Sequence, residues 1–240
     1  MTYKSPAIEK LLGQYLHLNI GGKKVRCPYW MNILNPDPRT DKKKLQGPYG
    51  GKGRPEQIIE ATLVAAKREG INLNELSPGQ IKAFMKKNRI GVDCSGLVYW
   101  FLDALDREKG GNGLADDIPG VKGKFLTRAN VEMLTNDEVS MPIKAINEAA
   151  VGDMIRVVAG KHIAIITGIK KDKGGTKELV YAHSSNLTET KGVHVGRILI
   201  KDSQKSLADQ VWLEKTSKGE NYGKKHFHLE EGDGVRRLKV

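Results

Sequence analysis

The sequence predicts an α+β fold in which a cysteine-bearing helix packs on an antiparallel β-sheet, with a mostly helical N-terminal elaboration. Three observations lead there. The first half of the chain shows helical periodicity punctuated by Pro and Gly. Residues 91–105, GVDCSGLVYWFLDAL, are apolar nearly all round, the mark of a buried helix. From Val151 onward, β-branched runs alternate with turn signals, which reads as antiparallel strands.

Ser5 and Pro6 supply the cap and first position of a helix over residues 5–17, with Ile8, Leu11, Leu12 and Tyr15 as its apolar face. The stretch CPYWMNILNPDPRTDKKKLQGPYGGKGRP is irregular, and Tyr29, Trp30 and Tyr49 mark a part of it that packs. Its Cys27 reads as an incidental thiol, because no helix start follows it. Residues 55–68 form a helix with Ile58, Ile59, Leu63 and Ala66 on one face and Gly70 as its stop. Ser77-Pro78 opens another, running to Asn88. Asp93 then caps the cysteine helix, whose first turn is Cys94, Ser95 and Gly96 and whose core side carries Leu97, Val98, Phe101, Leu102 and Leu105. A Gly-rich connection, EKGGNGLADDIPGVKGK, precedes a short helix at 127–135. Strands are expected at 153–158, 162–169, 178–183, 194–200 and 211–215, with one more near the end of the tail. Residues 1–90 are read as the elaboration and 91–240 as the core.

A chain of 240 residues can bury a sizeable core. Two cysteines exclude a disulfide framework and a zinc ribbon. Lys and Arg number 40 against 28 acids, a net +12, spread over clusters such as Lys42-Lys43-Lys44, Lys86-Lys87 and Lys170-Lys171. Such a surface suits anionic partners (nucleic acid, an anionic polymer, acidic lipid) and does not choose among them. The opening MTYKSPAIEKLLGQYLHLNI lacks a basic region followed by a continuous apolar run, so no signal peptide is expected. No stretch has the length of a transmembrane helix.

The chemistry is expected at the start of the cysteine helix. Unpaired N–H groups and the positive end of the helix dipole favour a thiolate and offer amides to an oxyanion. The competing reading is Cys94 as a small buried hydrophobe. Two histidines weigh against it. The segment 151–185 reads as a hairpin turning near Lys173, which would put His162 and His183 on one face unless a bulge breaks the parity. A nucleophilic thiol needs a base, and the base needs a third group to fix its tautomer. Cys94, His162 and His183 fill those roles in that order.

DCSGLV at 93–98, GD at 152–153, HIAIITG at 162–168 and AHSS at 182–185 resemble the NlpC/P60 family of papain-like cysteine peptidases. The resemblance covers roughly residues 91–200. It implies a helix bearing the cysteine against a small antiparallel sheet, with Cys94 as nucleophile, His162 as base and His183 as the orienting group. It also implies hydrolysis of peptide bonds in peptidoglycan stem peptides, without cofactor or metal. Tyr29, Asp93 and Ser95 are the candidates for holding the oxyanion or substrate. Departures from the family pattern are an unusually long Cys94–His162 interval and a displaced Pro-Tyr element, which either Pro28-Tyr29 or Pro48-Tyr49 partly matches. A cell-wall substrate and the missing export signal leave the localisation open: cytoplasmic as written, or delivered by a non-Sec route. Rival readings are an acyltransferase on the same scaffold, a basic binding module, and a zinc site built from Cys94, His162 and His183. His194 or Asn186 is the fallback for His183. His226 and His228 read as part of a basic strand or tail.

Overall fold

The computed structural model describes residues 2–32, 47–119 and 129–239. The Lys42–Lys44 cluster, most of the Pro-rich stretch and the start of the helix expected at 127–135 lie outside the described residues.

The chain opens with strand β1 (Thr2–Lys4) and helix α1 (Pro6–Leu16), where Ser5 accepts a hydrogen bond from the Ile8 amide at 3.2 Å. A hairpin of β2 (Leu18–Ile20) and β3 (Lys23–Val25) follows. Helices α2 (Pro55–Glu69) and α3 (Pro78–Lys87) begin on prolines; Gly70 ends α2 at φ 66°, and Ser77 and Gln80 close a capping box on α3. Helix α4 (Cys94–Glu108) is buried over its first ten residues, of which Leu97, Val98, Tyr99, Trp100, Phe101 and Leu102 form a run that is apolar all round. After the short α5 (Val131–Thr135) come β4 (Ser140–Ile143), β5 (Met154–Val157), β6 (His162–Asp172), β7 (Gly175–Ser185), β8 (Gly192–Leu199), β9 (Val211–Trp212), α6 (Tyr222–His226) and β10 (Gly234–Leu238).

One antiparallel sheet runs β4-β10-β5-β6-β7-β8-β9, and β1 pairs with the far end of β6, Thr2 facing Lys170. Alternation along the strands splits the core in two. Ile163, Ile165, Ala182 and Val193 pack with Leu97, Val98 and Phe101 of α4. Ala164, Ile166, Tyr181, Trp212, Tyr222 and Phe227 form a second cluster. The protein is thus α+β, with α4 against β6 and β7 of an antiparallel sheet, as the sequence predicts.

Four strands were not expected: β1, β2, β3 and β4. Each has three or four residues, too few to establish a period of two. β4 also carries Pro142, tolerated because the strand lies at a sheet edge.

Candidate active site

Cys94 is the first residue of α4 and His162 the first of β6, and both lie at the end of the sheet where β7 ends and β8 begins. Three hydrogen bonds hold that end together. Ser184 Oγ donates to Val92 O at 2.7 Å, Val193 N to Cys27 O at 3.0 Å, and Asp93 N to Gly51 O at 2.9 Å. Cys27 itself is fully buried, its thiol pushed up by desolvation.

The register brings the histidines together. Asp172 pairs with Gly175 across the turn, and two register shifts follow, one between Lys170 and Lys171 and one between Ile166 and Gly168. The shifts have opposite sense and cancel, so Ile165 faces Ala182 and the parity needed for a shared face survives. His162 Nε2 lies 2.9 Å from His183 Nδ1. His183 pairs directly with His194 of β8, and their Nε2 atoms are 2.8 Å apart. Glu214, two residues beyond β9, completes the group: its Oε1 is 3.0 Å from His183 Nε2 and contacts His194 Nε2, while its Oε2 accepts from the Tyr181 hydroxyl.

Cys94 shows 5% of its surface and His162 also 5%. Among the described residues no hydrogen bond joins the thiol to the imidazole. The backbone amides of Ser95 and of Ile163, the residue after His162, act on the thiol by lowering its pKa. With Nε2 committed to His183, Nδ1 of His162 is left without a partner among the described residues.

The electrostatics correct the expectation of a lowered thiol pKa. Burial, then the Asp93 charge, push Cys94 up to about 12, outweighing Lys52 and the two amides. Burial also holds His162 well below its ordinary value, with His183 adding to it. Burial thus favours the neutral form of both the thiol and the imidazole. His183 is pushed down by burial against the pull of Glu214. Burial alone would raise Glu214, but the His183 charge and the hydrogen bonds from His183 and His194 hold its carboxyl well below the usual range.

The other predicted site residues are accounted for by their contacts. Asp93 accepts from Gly96 N at 2.7 Å as the helix cap, and Lys52 Nζ lies 2.7 and 2.6 Å from its two oxygens. Ser95 Oγ receives Lys52 Nζ at 2.7 Å and donates to Ala129 O at 3.2 Å. Both side chains are thus tied into a buried network that fixes the start of α4. Pro28-Tyr29 and Gly51-Lys52 flank Val92 on opposite sides, Tyr29 in a parallel bridge and Lys52 in an antiparallel one. Burial and then the Cys94 charge raise the pKa of Tyr29, whose hydroxyl donates to Met31 Sδ at 3.3 Å, whereas that of Tyr49 is raised by burial and then Glu60.

Sequence reasoning missed Lys52, Glu214, Tyr181 and Tyr222, and held His194 only as a substitute for His183. The Val193-His194-Val195 alternation carried a signal for His194; Lys52 and Glu214 are brought in by loops and carried none. Cys94, His162 and His183 do not converge as metal ligands. Among the described residues, the groups whose ligand atoms do converge are His183, His194 and Glu214, and the exposed His228, Glu230 and Glu231. No described helix is long and apolar enough to cross a membrane. No protein-family model matches this chain, and comparison with curated proteins and with solved structures finds no match.

Proposed function

We propose that this protein is a cysteine peptidase or amidase that hydrolyses peptide bonds in peptidoglycan stem peptides. Cys94 is the nucleophile, His162 the base and His183 the group that orients it. The observation that carries the reading is a thiol on the first turn of a helix packed against the strand that begins with His162, whose Nε2 is held 2.9 Å from a second histidine backed by a carboxylate. The stem-peptide substrate rests on the resemblance of residues 93–98, 162–168 and 182–185 to the NlpC/P60 family, and a net charge of +12 suits an anionic wall.

Because burial favours the neutral form of both thiol and imidazole, the proton moves as the bond forms. Cys94 Sγ attacks the carbonyl carbon while Nδ1 of His162 takes the thiol proton. The resulting imidazolium donates Nε2–H to His183 Nδ1, and His183 in turn donates Nε2–H to Glu214. The Cys94 backbone N–H, unpaired at the helix start, holds the oxyanion, with the Tyr29 hydroxyl beside it. His162 then protonates the leaving amine and later activates the water that releases the acyl group.

The test is mass spectrometry of defined stem peptides and intact peptidoglycan after incubation with the protein. Cleavage by the wild type and none by Cys94→Ala or Cys94→Ser is expected. Hydrolysis retained in either variant would eliminate the mechanism, and a product carrying an added amine in place of water would identify an acyltransferase.

A further inference from the structure

We propose that His183, His194 and Glu214 form a binding site for a divalent transition-metal ion of the zinc class. The convergence of three ligand atoms motivates it. His194 Nδ1 lies 2.8 Å from the carbonyl oxygen of Gly192, which can only accept, so Nδ1 is the donor there and Nε2 is the ring atom turned to the centre of the cluster. Its Nε2 is in contact with Glu214 Oε1. The third corner, His183 Nε2, lies 2.8 Å from one and 3.0 Å from the other. One ligand atom from each of the three residues thus converges on a single point. A cation at the centre satisfies them together.

The surroundings suit a metal. Each ligand has an outer partner that fixes its orientation: Gly192 O for His194, Tyr181 for Glu214, and His162 for His183. Two imidazoles and one carboxylate are a zinc-type set with a fourth position open. The Tyr222 hydroxyl is buried and has no hydrogen-bond partner, and its ring lies 5.6 Å from that of His183. A surface cleft of about 360 Å³, lined by His194, Glu214 and Leu213 among others, gives access from solvent. Bonds of about 2.0–2.1 Å put tetrahedral ligand atoms roughly 3.3 Å apart, so modest opening of the triangle admits the ion.

Occupancy has a consequence that rests on the peptidase reading. A metal on His183 Nε2 leaves Nδ1–H to donate toward His162, the reverse of the direction the proposed mechanism uses. Metal and proton relay therefore compete for one ring.

The experiment uses the full chain carrying Cys94→Ala, which removes the thiol as a ligand and is catalytically silent, so its result does not bear on the peptidase reading. Equilibrium dialysis against Zn²⁺ at micromolar free concentration should give one tightly bound equivalent. That equivalent should weaken at least tenfold on adding Glu214→Gln or His194→Asn and be unchanged on adding His228→Ala. X-ray absorption of the zinc form of the Cys94→Ala protein should show two imidazole ligands and needs no further variant. Absence of tight binding, binding indifferent to Glu214→Gln and His194→Asn in folded protein, or zinc lacking imidazole scattering would each overturn the proposal.

Discussion

Replacing Lys52 with Met tests what holds the start of α4. Lys52 and Asp93 are each 5% exposed, and the ammonium contacts both carboxylate oxygens and Ser95 Oγ. Met keeps the length of the side chain and removes its charge. Asp93 is then a buried carboxylate with the Gly96 amide and Ser95 but no cation. Breaking a buried pair from one side costs about 3–5 kcal/mol, because the remaining charge stays desolvated. For a chain of this size that lowers the melting temperature by about 6–20 °C. Adding Asp93→Asn removes the stranded charge and keeps an N-cap acceptor, so the double variant should regain most of the loss. Urea unfolding of wild type, both singles and the double measures the coupling directly. A Lys52→Met protein within about 1 kcal/mol of wild type, or a double variant no more stable than Lys52→Met, would refute the reasoning. The site should register the change too: Lys52 offsets the Asp93 charge at Cys94, and without it the thiol pKa moves further up.

With its pKa at about 12, Cys94 in the folded protein should react with iodoacetamide on the order of a thousandfold more slowly near pH 8 than a free thiol of pKa about 8.5. Faster alkylation than free cysteine at mildly acidic pH would show a preformed thiolate–imidazolium pair instead. His162 and His183 have folded pKa values below their unfolded value of about 6.5, so the unfolded chain binds more protons in that interval. Their contribution to stability is complete above about pH 6.5 and falls as pH drops below it; a urea midpoint at about pH 5.5 equal to that at about pH 7.5 would contradict this. Glu178, lowered to about 2 chiefly by its hydrogen bond to Arg197, does not titrate in that window. Gly192 has φ 98°, and a Cβ there would stand 2.3 Å from Cys27 O. Gly192→Ala should therefore cost at least about 1–3 kcal/mol, read as a lower melting temperature, and an unchanged one would show that the backbone shifts freely there.

The parts legible in the sequence are those that local pattern determines. The α4 helix was readable because its apolar residues leave it no exposed face, and β6 to β8 because their β-branched runs are long and bounded by turn signals. His162 and His183 followed from parity alone, and survived the bulges only because two shifts cancel. Glu214 was not legible, since it stands beyond β9, a strand of two residues, and meets the histidines through the path of the loop. Lys52 looked like one of many surface lysines, and only the fold buries it against Asp93. The thiol pKa was misjudged for a related reason. The helix start is visible in the sequence, but the desolvation that outweighs it is a property of the packed chain.

The position of β10 bears on how the molecule is built during synthesis. Val235 sits between Ile143 of β4 and Ile155 of β5, so two strands made much earlier acquire their shared neighbour only when residues 234–238 emerge. Until then β4 has no partner in the sheet and one edge of β5 stays open, a template for pairing with other chains. Assembly of this half of the sheet therefore waits on translation, and long-range closures of this kind fold slowly.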